Sequence, residues 1–183
     1  MKREVSRCLV AAILLVAGPA GARTPPDFSG KWVVVPAANA PGVAMGSAPP
    51  TLSAHGTMGS GWGSEITLIQ DSGTLTVEYT YFHPRDSQPP FKFKYLLNGS
   101  ESRNTVNMGR GPQEQVSVAT WDGDTLVITT THTFVNPQDG QTMTSETRQA
   151  LSLESETSLQ IETTRSAVMG GKASSTTTIY RKQ

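Results

Sequence analysis

The sequence predicts an all-β protein folded as a single antiparallel up-and-down barrel of about eight to ten strands. Three observations predict it. From Glu65 onward, runs rich in Thr, Val, Ile, Tyr and Phe are separated by Gly, Asn, Asp and Pro; Asn-Gly and Asp-Gly pairs fall between those runs; and no window sustains a 3.6-residue apolar period. β-Branched and aromatic residues suit a pleated, half-buried surface. The turn pairs reach the φ > 0 positions that two-residue hairpins require.

Ahead of the strands, residues 1–22 read as a secretory signal. Basic Lys2, Arg3 and Arg7 precede an apolar run from Leu9 to Ala17, and Ala20-Gly21-Ala22 supplies a small-residue cleavage site. The run is shorter than the ~20 residues that span a bilayer, and no later segment is apolar enough, so no transmembrane helix is expected. Cys8 lies before the apolar run, so a lipid anchor is not expected. It is also the sole cysteine, which leaves residues 23–183 as one thiol-free domain of ~160 residues that must stabilise itself by burial. Loss of Lys2, Arg3, Arg7 and Glu4 reduces fifteen basic and fifteen acidic residues to twelve and fourteen, a net charge of −2. Such a surface disfavours nucleic acid as a partner. Export to the periplasm or the exterior is the expected location.

The strands are expected at 30–35, 65–70, 74–82, 91–97, 100–107, 114–121, 125–133, 143–153, 157–165 and 174–182. Asn98-Gly99, Asp122-Gly123, Asp139-Gly140 and Gly170-Gly171 are tight-turn candidates, with Asp71-Ser72-Gly73 and residues 154–157 as longer loops. Sequence neighbours should thus be sheet neighbours. A meander of this length is expected to curl until its first and last strands pair, because closure removes both edges. Alternation puts Leu75, Val77, Tyr79 and Tyr81 on one face, and Phe91, Phe93, Tyr95 and Leu97 on one face of the next strand, with Lys92 and Lys94 toward water. The 36–64 segment is Gly, Ala, Pro, Ser and Thr with scattered Met. It is either a loosely held surface segment or an ordered lid, with Trp62 as its anchor.

The opening Asp27-Phe28-Ser29-Gly30-Lys31-Trp32 resembles the Gly-x-Trp start of lipocalins and related calycin barrels. The resemblance implies that Trp32 lies on the first strand at the closed end of the barrel and that a late arginine, here Arg181, packs across it, with Gly30 as the third member of the motif. The chain is also similar to bacterial secreted lipocalin-like proteins that combine a Phe-Ser-Gly-x-Trp start with Trp-Asp-Gly hairpins, here Trp121-Asp122-Gly123. It departs from many lipocalins in lacking a Thr-Asp-Tyr motif and a C-terminal helix.

Catalytic and cofactor signatures are sparse. No Gly-x-Ser-x-Gly elbow occurs, the nearest run being Gly59-Ser60-Gly61-Trp62-Gly63, and neither a Walker loop nor a dinucleotide fingerprint is present. Gly109-Arg110-Gly111 meets Pro112 rather than a helix start. His55, His83 and His132 are widely spaced and suggest no metal centre, and Asp122-Gly123-Asp124 lacks the remaining ligands of a calcium loop. No cofactor is expected. His132 shares a face with Leu126, Ile128 and Phe134, as either a polar handle for a ligand or a satisfied core histidine. Glu101 with Arg103, and Glu146 with Arg148, have the i, i+2 spacing of same-face pairs, read first as solvated ion pairs. Trp32, Tyr79, Tyr81, Phe91, Phe93, Tyr95, Arg103, Trp121 and His132 are the candidate interior residues for a small apolar or amphipathic ligand. The same aromatic set reads equally as ordinary core, which makes a solid envelope interaction module the alternative and an uncharacterised hydrolase or isomerase the third reading.

Overall fold

In the computed structural model, residues 24–36, 60–79, 90–107, 112–135, 140–167 and 172–183 are described. Residues 1–23, Tyr81, His55, His83, Arg110, Gly170 and Gly171 and most of the 36–64 segment lie outside them. The strands are β1 (Gly30–Val34), β2 (Glu65–Gln70), β3 (Thr74–Tyr79), β4 (Phe91–Leu96), β5 (Glu101–Asn107), β6 (Pro112–Asp122), β7 (Thr125–Val135), β8 (Thr142–Ser155), β9 (Ser158–Arg165) and β10 (Ser174–Lys182). All pairings are antiparallel, and the ten strands form one sheet in the order β4-β3-β2-β1-β10-β9-β8-β7-β6-β5. The all-β, up-and-down barrel expected from the turn and strand pattern is therefore the observed fold, here nearly closed.

The local chemistry of the turns fixes the hairpins. In the β2–β3 loop the Asp71 carboxylate accepts the backbone N–H groups of Gly73 at 2.8 Å and Thr74 at 2.6 Å, and the Thr74 hydroxyl at 2.7 Å. These bonds favour its ionised form and hold its pKa below the ordinary value of 3.8. Pro112 starts β6, a strand position where a missing N–H costs no interior ladder bond. β8 runs to Ser155, farther than the sequence pattern suggests, and takes up the extra residue as an irregularity between Leu153 and Ser155.

Closure uses the two ends of the chain. β1 pairs with β10 through Trp32 opposite Lys182, Val33 opposite Arg181 and Val34 opposite Tyr180. The expectation that sequence neighbours pair fails at one place: β4 and β5 are the two edges of the sheet, facing each other without a backbone ladder. Side chains of β5 bridge them. The Asn104 amide accepts Lys94 N–H at 2.8 Å and donates to Lys94 C=O at 3.1 Å, and Ser102 Oγ accepts Leu96 N–H at 2.7 Å. The Asn98-Gly99 turn instead points Gly99 N–H at Ala119 C=O on β6, at 3.1 Å.

One end of the barrel is sealed by a strap before β1. Phe28 is fully buried and stacks on Trp121 at 5.9 Å, while its carbonyl accepts the Trp32 indole N–H at 2.9 Å. Gln70 holds the strap, accepting Phe28 N–H at 3.0 Å and donating to Pro26 C=O at 2.8 Å. The cation over Trp32 is Lys182, with its ammonium 5.3 Å from the ring centroid. Arg181, the residue expected there, is exposed and opposite Val33. One residue of register decides this, because side chains alternate faces along a strand. Gly30 makes room for the lysine: it holds φ +144°, and a Cβ there would stand 2.5 Å from Lys182 Cε.

The side-chain bridge predicts a local weak point. Asn104→Ala removes both bonds to Lys94 and should lower stability by about 1–3 kcal/mol. Hydrogen exchange would show Lys94 and Leu96 amides exchanging faster, with β7–β8 amides changed only as much as global stability falls.

Candidate functional site

Inward-facing residues change character along the barrel. On β6 to β9, Trp121, Leu126, Leu151 and Ile161 are cross-strand neighbours, followed by Ala119, Ile128, Gln149 and Thr163. The next level holds Ser117, Thr130, Thr147 and Arg165, and the last Gln115, His132 and Ser145. β5 extends the polar levels with Ser102 opposite Ser117 and Asn104 opposite Gln115. Across these four levels the lining turns from hydrocarbon to hydroxyl, amide, imidazole and guanidinium.

The opposite wall remains aromatic. Tyr79 stacks on Phe91 at 5.5 Å and on Phe93 at 5.7 Å with an interplanar angle of 3°, and Phe93 continues to Tyr95 at 6.5 Å. Phe93 and Tyr95 are buried; Tyr79 and Phe91 are half-buried. Trp32, at 1 % exposure, is core. Trp121 is half-buried against Phe28. His132 faces inward and is half-buried, as alternation predicts. Arg103 is a correction: it stands on the outer face of β5, paired with Glu101 at 3.0 Å and with Glu114. Its neighbour Ser102 takes the inward direction, so Arg103 lines no interior surface. Tyr81 lies outside the described residues.

Residues 60–63 enter the barrel ahead of β2 and fill its centre. Tyr180 O–H donates to Gly63 C=O at 2.7 Å, so the 2.5 Å contact between Ser60 and Tyr180 has the serine hydroxyl as donor, and Ser60 Oγ in turn accepts Trp62 N–H at 3.2 Å. Gln149 Nε2 donates to Ser60 C=O. Trp62 is buried with its ring 6.2 Å from that of Tyr95. Burial pushes the Tyr180 hydroxyl up to about 12 and raises that of Tyr95 as well, so both stay protonated. Gly61 adopts φ +88°, and a Cβ there would lie 3.4 Å from an Arg165 guanidinium nitrogen and 3.8 Å from Gln149 Nε2. Trp62 is thus the anchor the sequence suggested, placed inside rather than across the mouth.

Within this polar half, Ser117 and Thr130 hydroxyls bond each other at 2.8 Å. The Thr163 hydroxyl is fully buried and makes no hydrogen bond. Burial lowers the His132 pKa from its ordinary 6.5, assisted by the Arg165 charge, and burial also lowers that of Arg165. Arg165, Thr163 and Gln149 were legible as interior positions: each continues an inward series, Leu159-Ile161-Thr163-Arg165 or Leu153-Leu151-Gln149. Their polarity, not their position, kept them out of the candidate interior residues.

A cavity of about 230 Å³ lies on the wall of β1 to β3, lined by residues including Lys31, Trp32, Glu65, Glu78 and Tyr79. It is smaller than the ~300–1,000 Å³ common for ligand pockets. Among the described residues, no group of three His, Cys, Asp or Glu side chains is placed to hold a metal ion, and no helix is long and apolar enough to cross a membrane. Comparison of the chain with protein-family models and with curated proteins returned no match.

The depressed His132 pKa fixes a pH dependence. Between its folded value and 6.5 the unfolded chain binds the extra proton, so stability contributed by neutral His132 is complete above pH 6.5 and is lost as pH falls below it. Asp27 and Asp71, both lowered from 3.8, lose their contributions only in more acidic solution. Thermal midpoints measured from pH 7.5 to 5 should therefore fall, and His132→Asn should flatten that fall; an equally steep profile in the variant would remove His132 as the cause.

Proposed function

We propose that this protein is an exported, lipocalin-like binding barrel that takes one small amphipathic molecule at its polar end. One observation carries the reading: the interior is filled at the Phe28 end yet lined at the other by inward polar groups, among them a fully buried Thr163 hydroxyl without a partner. Structural barrels have no need of such groups, since burying an unsatisfied hydroxyl costs about 1–3 kcal/mol. The aromatic wall of Tyr79, Phe91 and Phe93 supplies an apolar surface for the rest of the molecule. Export is supported by the pattern of residues 1–22, and the lipocalin-like affiliation by Gly30 and Trp32 on the first strand of a ten-strand barrel. The fold is compatible with this function without specifying it.

The packing of Trp32, Trp62, Tyr95 and Tyr180 favours a second reading, a solid barrel serving as an envelope interaction module. Mass spectrometry of an organic extract of the purified protein, beside a solvent-stripped control, separates the two. The binding reading expects an amphipathic compound at roughly one per chain, and rebinding by the stripped protein. An empty extract, together with no uptake of a fluorescent apolar probe, leaves the interaction module as the function.

A further inference from the structure

We propose that residues 60–63 fill the barrel centre as the protein's own occupant of a ligand site, and that the molecule they compete with is a flat aromatic compound carrying carbonyl acceptors beside its ring. This rests on the binding reading above and names both the class of ligand and what holds its place.

The manner of filling comes first. Side chains of the strands are enough to make a barrel solid. Here part of the filling is backbone: Ser60 brings a carbonyl, Trp62 an N–H and Gly63 a second carbonyl. Burying such groups is unfavourable unless each finds a partner. The partners are side chains of the barrel wall and of the segment itself. Gln149 Nε2 donates to Ser60 C=O, Tyr180 O–H donates to Gly63 C=O at 2.7 Å, and Ser60 Oγ accepts Trp62 N–H at 3.2 Å. Between the two carbonyls in sequence stands Trp62, its ring 6.2 Å from that of Tyr95.

That set of contacts describes a ligand. Gln149 and Tyr180 are 4 % and 0 % exposed, and both offer a neutral donor. With an aromatic surface between them, they suit an uncharged ring flanked by amide, ester or ketone oxygens better than a plain hydrocarbon.

The segment is also built to leave. Residues 60–63 belong to no strand, and backbone pairing resumes only at Ser64, whose carbonyl accepts Val34 N–H at 2.8 Å. Gly61 and Gly63, at φ +88° and +83°, flank Trp62 with backbone that glycine alone turns freely. Withdrawal therefore unpairs no strand and frees Gln149, Tyr180 and the Tyr95 ring together. Two buried donors left empty would be unfavourable, so the segment and a ligand exchange for one another.

Fluorine NMR of the wild-type protein carrying 5-fluorotryptophan tests the exchange, with Trp62→Phe identifying the Trp62 line among the three tryptophans. The probes are N-acetyl-tryptophanamide, 3-methylindole, which keeps the ring alone, and N-acetyl-leucinamide, which keeps the carbonyls alone. The tryptophan amide should move the Trp62 line toward its solvent position, shift Trp32 and Trp121 less, and bind roughly tenfold more tightly than either partial probe. Trp62→Gly should bind that amide roughly tenfold more tightly than wild type, because a competitor has been removed; loss of a tryptophan that is only core would weaken binding instead. If Trp62→Gly fails to fold, Gly61→Ala strains the seated segment while leaving both donors intact, its Cβ 3.4 Å from an Arg165 guanidinium nitrogen, and should tighten binding several-fold. A wild-type Trp62 line unmoved at the solubility limit of the amide, or weaker binding by the folded variants, overturns the exchange. A compound in the organic extract then leaves the binding reading standing, and an empty extract overturns both.

Discussion

The ten strands join into a ring at two seams that no ordinary hairpin ladder makes, and the two seams use different chemistries. At β1 and β10 the partner is backbone, drawn from opposite ends of the chain. At β4 and β5 it is side chain, with Asn104 and Ser102 acting as surrogates for a missing ladder. The first joint sets the register that places Lys182 rather than Arg181 over Trp32, and Tyr180 where it can bond the Ser60–Gly63 segment. Without it the Phe28 strap would have no floor to seal and residues 60–63 no pocket to fill.

The interior follows from that closure. Ten strands enclose more space than small side chains fill, and the protein occupies much of it with a piece of its own chain. Trp62 arrives on a Ser-Gly-Trp-Gly segment whose polar backbone must be satisfied inside the barrel, and Tyr180, Ser60 and Gln149 do so. The two tyrosines are kept neutral by the same burial that makes their hydrogen bonds strong. The polar levels beyond Gln149 fall outside this accounting.

Much of the fold was legible because β structure with tight turns writes itself in period-two alternation. Leu75-Val77-Tyr79 and Phe91-Phe93-Tyr95 gave the facing of their strands, and Asp71 with its glycine gave a turn whose carboxylate caps three donors. The β4–β5 break was not legible, since an Asn-Gly pair signals a turn but not whether the strands after it go on to pair. Arg103 and Arg181 went astray for a shared reason: a charged residue one position from an inward one looks alike in composition and opposite in space. Arg165 shows the converse, a charge inside because its parity matches Ile161 and Thr163. His132 was placed correctly because three apolar neighbours on its strand fixed the parity.

The β1–β10 ladder also sets an order of events. Its partners are separated by almost the whole chain, whereas the β6–β9 hairpins join close neighbours. Loop-closure entropy is repaid late for such distant pairs, so local hairpins form first and the ring waits. Until residues 174–182 have emerged from the ribosome, β1 lacks one of its two neighbours, and the barrel cannot close around Trp32. β10 follows the other nine strands in chain order, so the ring around Trp32 is completed only by the strand that comes last among them.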